Sequence, residues 1–214
     1  MELIHPLVEA YAAKFTSEDD KLLQQIQQHT LQHHAHAHML SNPVQGKFLA
    51  FSSNILQPKY VLEVGTFTGY SALCLAEGLQ VDGELHTIEL REEDANTALK
   101  NFSISKKFKQ IHLHLGNALE IIPDLPYEWD LIFIDADKTA YCDYYDLLLP
   151  KLSAKGLMIA DNVLFHGQVL EEMVKGKNAK AIEAFNQKVA DDLTVEQVLV
   201  TVRDGLLMIK KKHQ

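Results

Sequence analysis

Five short apolar runs, KYVLEV, GELHTIE, QIHLHLG, WDLIFIDA and GLMIAD, recur along the chain, each separated from the next by a segment with helical signals. Strands that alternate with helices in this way build an α/β fold, a parallel sheet with helices on both faces. The helical segments carry their own markers: Thr68 precedes Gly69 to Leu79, Arg91 to Lys107 has acids first and lysines last, and Pro150 stops Lys138 to Leu149. After GLMIAD the pattern changes. Ala179 to Ala190 reads as a further helix, and TVEQVLVTV and DGLLMIKKK, separated only by a turn at Arg203-Asp204-Gly205, read as an antiparallel hairpin. Seven strands are therefore expected, mostly parallel, with a reversed C-terminal pair.

The first ~56 residues read from apolar spacing as two or three helices broken at Asn42-Pro43, a lid or dimer surface ahead of the sheet. With 214 residues and 47% hydrophobic content, one core is expected. The expected organisation is a single domain, 1–214, made of a helical region 1–56 and a core 57–214. The net charge of −9 opposes binding to phosphate backbones, so small molecules are favoured over nucleic acid. No run of about 18 apolar residues and no signal-like N-terminus is present, which points to a cytoplasmic protein with no membrane partner. Cys74 and Cys142 lack CxxC partners and read as reduced, buried thiols.

In open parallel sheets ligands bind beyond the carboxyl ends of the strands, where strand order reverses. The first such end reads EVGTFTGYS. Gly65 permits a sharp turn and close ligand approach, Gly69 and Ser71 open a helix whose amides and hydroxyl suit a carboxylate, and Glu63 is expected to face the same space. The glycine spacing is not GxGxxG, so a ligand without a pyrophosphate is favoured. Glu89 ends the second strand, about where an acid that binds ribose hydroxyls is expected. Turn and acid together suit an adenosine-containing ligand, and leave a nucleotide-dependent oxidoreductase open as the alternative.

The fourth run ends in DADK and the fifth in DN. Asp135, Asp161 and Asn162 would supply hard oxygen ligands too few for a full cage, an incomplete shell that suits Mg²⁺ or another divalent cation. Such an ion lowers the pKa of a coordinated hydroxyl, and Lys138 is positioned to take the proton or stabilise the oxyanion.

In order along the chain, EVGTFTGYS, the IE strand end, GNALE, DLIFIDADKTAYCDYY and IADNVLFHG resemble the cation-dependent O-methyltransferases of catechol and caffeoyl-CoA type. The resemblance runs from about Met39 to the end. It implies a Rossmann-like class I methyltransferase fold, S-adenosyl-L-methionine as cofactor and a small aromatic substrate. It also implies residue roles: Glu63, Gly65 and Ser71 at the methionine end, Glu89 at the ribose, Ala118 at the adenine, and Asp137 as a cofactor contact. Asp135, Asp161 and Asn162 are implied as metal ligands, with Asp135 also beside the methyl-bearing end and Lys138 as catalytic base. Met39, Val44 and Gln45 fall in a loop that closes over the pocket. His166 stands where plant caffeoyl-CoA enzymes typically carry the asparagine of WNG, and with no basic docking surface for CoA this ranks simple catechols above thioesters. A homodimer is the implied assembly.

Other features read as structural. The cluster His29, His33, His34, His36 and His38 is expected on a polar helix surface, Lys210 to Lys212 on a solvated strand edge, and Trp129, Tyr141, Tyr144 and Tyr145 in packing.

Overall fold

A computed structural model describes residues 3–212, so the four terminal residues of the expected 1–214 domain lie outside it. Seven strands form one sheet: β1 (Tyr60–Val64), β2 (Glu84–Glu89), β3 (Ile111–Leu115), β4 (Trp129–Ile134), β5 (Leu152–Asp161), β6 (Val195–Val200) and β7 (Leu206–Lys211). Their order is β3-β2-β1-β4-β5-β7-β6, parallel except where β7 runs antiparallel to β5 and β6. The order reverses between β1 and β4, the expected crevice position.

Helices α1 (Pro6–Lys14), α2 (Lys21–His33), α3 (Pro43–Leu56), α4 (Tyr70–Ala76), α5 (Glu92–Ser103), α6 (Ala118–Asp124), α7 (Tyr141–Leu148) and α8 (Lys177–Asp191) cover the sheet. Two apolar layers result. Ile122 of α6, Tyr145 of α7 and Phe185 of α8 pack on the face that carries Leu62, Ile132 and Met158. On the other face Ile26 of α2, Leu49 of α3, Leu75 of α4 and Phe102 of α5 meet Val61, Leu131 and Phe133. The three N-terminal helices match the expected number. Asn42 caps α3 by accepting from the Gln45 amide, and Pro43 occupies its first turn. Both α2 and α3 belong to the core, whereas α1 buries no residue and leaves Leu7, Val8 and Tyr11 exposed, as is Phe15 just after it.

Three expectations are corrected. Lys210 to Lys212 do not end a sheet edge: β7 lies between β5 and β6, and Lys211 Nζ donates to the Leu152 carbonyl. The histidine cluster is not one helix face, because α2 ends at His33; His34 is half-buried, 2.8 Å from Asp94, with its ring against Phe67. Cys74 is buried, but Cys142 is only partly so.

The turn after β1 fixes the crevice. Hydrogen bonds continue past both central strands, from the Gly65 amide to Ile88 O and from the Asp135 amide to Val64 O. Gly65 adopts φ +101°, and a Cβ there would overlap the Asp135 carbonyl. Gly65→Ala is thus expected to cost about 2–6 kcal/mol, the sum of backbone strain and overpacking. Urea denaturation checks this; a loss below about 0.5 kcal/mol, typical of an inconsequential surface change, would show that the turn relaxes freely.

Candidate active site

The carboxyl ends of β1, β2 and β4 open into a cleft of about 330 Å³ lined by Gly65, Glu89, Arg91, Ala118, Asp135 and Asp137, together with Met39. A smaller adjoining space shares Met39, Gly65 and Asp135 and adds Thr66, Phe67 and Ser71. Seven residues singled out in the sequence, Met39, Gly65, Ser71, Glu89, Ala118, Asp135 and Asp137, therefore line contiguous space.

Glu89 is held rigidly: one carboxylate oxygen accepts from the Phe67 amide at 2.8 Å and the other from the Arg91 amide at 2.9 Å. A carboxylate has about four lone-pair positions, so Glu89 keeps capacity for two ligand hydroxyls. Arg91, which the sequence reading did not single out, reaches the same cleft, pairs with Asp94 at 2.6 Å and lies over Phe67. The Asp137 carboxylate accepts from the Thr139 amide and hydroxyl, which fixes the turn that leads to Lys138.

Glu63 departs from expectation. It does not line the cleft; it is fully buried beneath it, where it accepts from Ser71 Oγ at 2.6 Å and Thr87 Oγ1 at 2.5 Å. Thr66 in turn donates to Thr87. Burial pushes the Glu63 carboxyl up to about 8, and the two hydroxyls only partly offset it. Glu63 holds the floor on which Ser71 stands.

At the ends of β4 and β5, Asp135 at the cleft wall, the buried Asp161 and Lys138 lie close together. Lys138 Nζ donates to Asp135 Oδ1 at 2.8 Å and to the Tyr141 hydroxyl at 2.7 Å. That hydroxyl donates to the Asp161 carbonyl, 3.0 Å away, so Tyr141 links both strand ends. The sequence reading gave Tyr141 to packing alone; its position three residues after Lys138, one helical turn, was the available signal. Asp161 is fully buried and accepts from Gln45 Nε2 at 2.6 Å and from the Asn162 amide at 2.7 Å. Burial and the charge of Asp135 push its carboxyl up to about 7. Asn162 turns the chain at φ +58°, a conformation asparagine tolerates. Burial works against the Lys138 ammonium, but Asp135 and Asp161 outweigh it and raise its pKa. Lys138 therefore carries its proton here, and the acceptor role read from the sequence requires the two carboxylates to be engaged elsewhere.

The donor set itself tests the fit of a divalent cation. Two neighbouring carboxylates, of which Asp161 is raised first by burial and then by the charge of Asp135, with Asn162 next in the chain, suit a hard cation with open positions. His166 stands apart, with a side chain 74% exposed at φ +55° and its amide tied to Asp204 Oδ1 at 2.6 Å. Val44 borders a different cavity, beside α1 and Arg203.

Comparison with known proteins shows the family. A catechol O-methyltransferase of Niastella koreensis is 35% identical over 164 residues, 74% of each chain. A caffeoyl-CoA O-methyltransferase of Stellaria longipes is 26% identical over 192 residues, 84% of this chain and 79% of that protein. The solved O-methyltransferase of Bacillus cereus in complex with SAH superposes with a TM-score of 0.85 at 29% identity, covering 96% of this chain and 97% of that one. The O-methyltransferase family model matches residues 13–212: the chain belongs to the O-methyltransferase family.

Proposed function

We propose that this chain transfers a methyl group from S-adenosyl-L-methionine to a hydroxyl of a catechol-type aromatic, with Mg²⁺ or a similar divalent cation held by Asp135, Asp161 and Asn162. The observation that carries the reading is the pairing of the cleft-lining carboxylate of Asp135 with the buried carboxylate of Asp161 at adjacent strand ends, where Lys138 donates to Asp135. Glu89 would accept the ribose hydroxyls, Ala118 would border the adenine, and Gly65 and Ser71 would line the methionine end. The oxidoreductase alternative, which rested on the turn and Glu89 alone, falls with family membership.

When bound, the cation lowers the pKa of a coordinated hydroxyl and the cofactor supplies an electrophilic methyl group. The cofactor would supply the methyl group and keep the carbon–sulfur electron pair on its sulfur, and the hydroxyl proton would pass to Lys138 Nζ in its neutral form or to solvent. Lys138 Nζ presents positive charge to the developing oxyanion. It becomes a proton acceptor only once Asp135 and Asp161 no longer hold its ammonium form. Tyr141 keeps Nζ in place, and the Gln45 bond fixes the rotamer of Asp161. Holding nucleophile and methyl near contact is worth up to ~7 to 11 kcal/mol in favourable systems, so positioning carries most of the rate.

The direct test is a methyl-transfer screen over catechols, cinnamates and their CoA esters, with and without Mg²⁺. Turnover of a catechol that stops in excess chelator is expected; full activity in chelator would sink the metal role. Lys138→Met is expected to lower kcat by roughly 10²–10³, the size of losing one oxyanion partner, with unchanged cofactor affinity by calorimetry.

The buried acid gives a stability prediction with a defined sign. Because the Asp161 carboxyl is raised from 3.8 to about 7 on folding, its contribution is complete below pH 4 and is lost as pH rises through 7. In chelator at pH 8, Asp161→Asn is therefore expected to be more stable than the parent, and Mg²⁺ is expected to stabilise the parent but not the variant. Thermal unfolding at pH 5 and pH 8 reads both effects, and a parent more stable than Asp161→Asn at pH 8 in chelator would contradict the electrostatic reading.

A further inference from the structure

A second donor cluster lies at the other end of the sheet. Glu84 and His86 on β2 and His112 and His114 on β3 alternate along their strands, and the parallel register pairs His86 with His112. All four thus project from one face. Glu84 is five residues from Glu89, roughly 16 Å along the strand, so the cluster is separate from the crevice.

Three ligand-type atoms converge there. Glu84 Oε2 is 3.2 Å from His86 Nε2 and 3.8 Å from His112 Nε2, and the three atoms lie within 4.8 Å of one another. A tetrahedral ion with bonds of about 2.0–2.2 Å separates its ligand atoms by about 3.3–3.6 Å, a spacing these distances bracket. The other nitrogen of His86, Nδ1, is 2.9 Å from His114 Nε2, and the Tyr127 hydroxyl donates to Glu84 Oε2 at 3.2 Å. Ring orientation fixed through the non-ligating nitrogen is what a metal-bound imidazole requires.

The rings of His112 and His114 both stack on His86, with centroids 4.8 and 5.2 Å away. Each neutral imidazole carries one N–H and one lone-pair nitrogen, and the carboxylate only accepts. Each ring thus keeps one lone-pair nitrogen able to face a cation. Access is open, since the Glu84 and His112 side chains are 37% and 44% exposed while His86 is buried.

We propose that Glu84, His86 and His112 bind Zn²⁺ or a similar borderline transition-metal ion, with His114 orienting His86 and water completing the shell. Imidazole with one carboxylate selects such ions over Mg²⁺. The ion clips edge strand β3 to β2 and so stabilises the sheet edge that ends at Glu89 and Gly116. This assignment stands independently of the methyl-transfer reading.

The test is calorimetry and metal analysis on full-length protein freed of metal by chelator and desalted, titrated with Zn²⁺ alone. One tightly bound Zn²⁺ per chain and a rise in unfolding temperature are expected. His112→Gln, at an exposed position that leaves the fold intact, should weaken binding at least about tenfold, as should His86→Gln with its fold checked by circular dichroism. Asp161→Asn should retain the ion. Absence of stoichiometric Zn²⁺, retention in His112→Gln, or loss in a His33→Gln/His38→Gln variant of the N-terminal cluster would each overturn the proposal. Co²⁺ substitution adds a spectroscopic check: tetrahedral visible bands are expected in the parent and absent in His112→Gln.

Discussion

Three neighbouring ionisable groups set the terms for the crevice. Asp135 and Asp161 repel each other, and Lys138, which donates to Asp135, favours the charge of Asp161. Isolated, a carboxylate as buried as Asp161 would be expensive to ionise; here it is raised only to about 7, because Lys138, Gln45 and Arg203 each favour its charge. The arrangement is thus poised, with one positive group shared between two acids. A poised cluster of this kind responds strongly to any added cation, since each unit of positive charge relieves the repulsion and frees Lys138 at once.

The surrounding structure explains how such a cluster persists. Asp161 is braced from the N-terminal region by Gln45, whose own oxygen lies 3.4 Å from Arg203 Nη1 in the turn between β6 and β7. Arg203 also donates to His38 O, so the loop carrying Met39 is tied to the C-terminal hairpin. The N-terminal helices are therefore part of the site's support as well as its cover. Glu63 plays the matching part under the cofactor side, where its bonds to Ser71 and Thr87 connect α4 to β2. Both supports are buried polar networks, strong when complete and costly when one partner is removed.

Most of the fold was legible in the sequence because strand and helix periodicities reinforced each other from Tyr60 onward. The acids at strand ends were legible too, since strand direction alone places residues such as Glu89 and Asp135 at the crevice. What local pattern could not convey was side-chain direction and long-range register. Glu63 was expected to face the ligand, but the pleat directs it to Thr87 on the neighbouring strand. Tyr141 looked like packing because its hydroxyl partners, Lys138 and the Asp161 carbonyl, lie on two different elements. The edge assigned to Lys210 to Lys212 failed because which hairpin strand docks on β5 is a tertiary choice. The Glu84, His86 and His112 group was unreadable for the same reason, since only the β2/β3 register makes neighbours of residues more than twenty positions apart.

That register has a further consequence for how chemistry is distributed over the sheet. Carboxyl ends of β1, β4 and β5 gather carboxylates, an amide and an ammonium, all hard donors or charges suited to oxygen-rich ligands. The amino-terminal half of β2 and the adjoining face of β3 gather imidazoles, with His86 under aromatic cover from Tyr127 and Trp129. Softer nitrogen donors are thereby kept away from the crevice, where a tightly held transition metal would compete for Asp135 and Asp161. Parallel strands make this separation simple, because all their carboxyl ends lie on one side. A residue's position along its strand then decides which of the two environments it joins, and Glu84 and Glu89, five residues apart on β2, fall on opposite sides of that division.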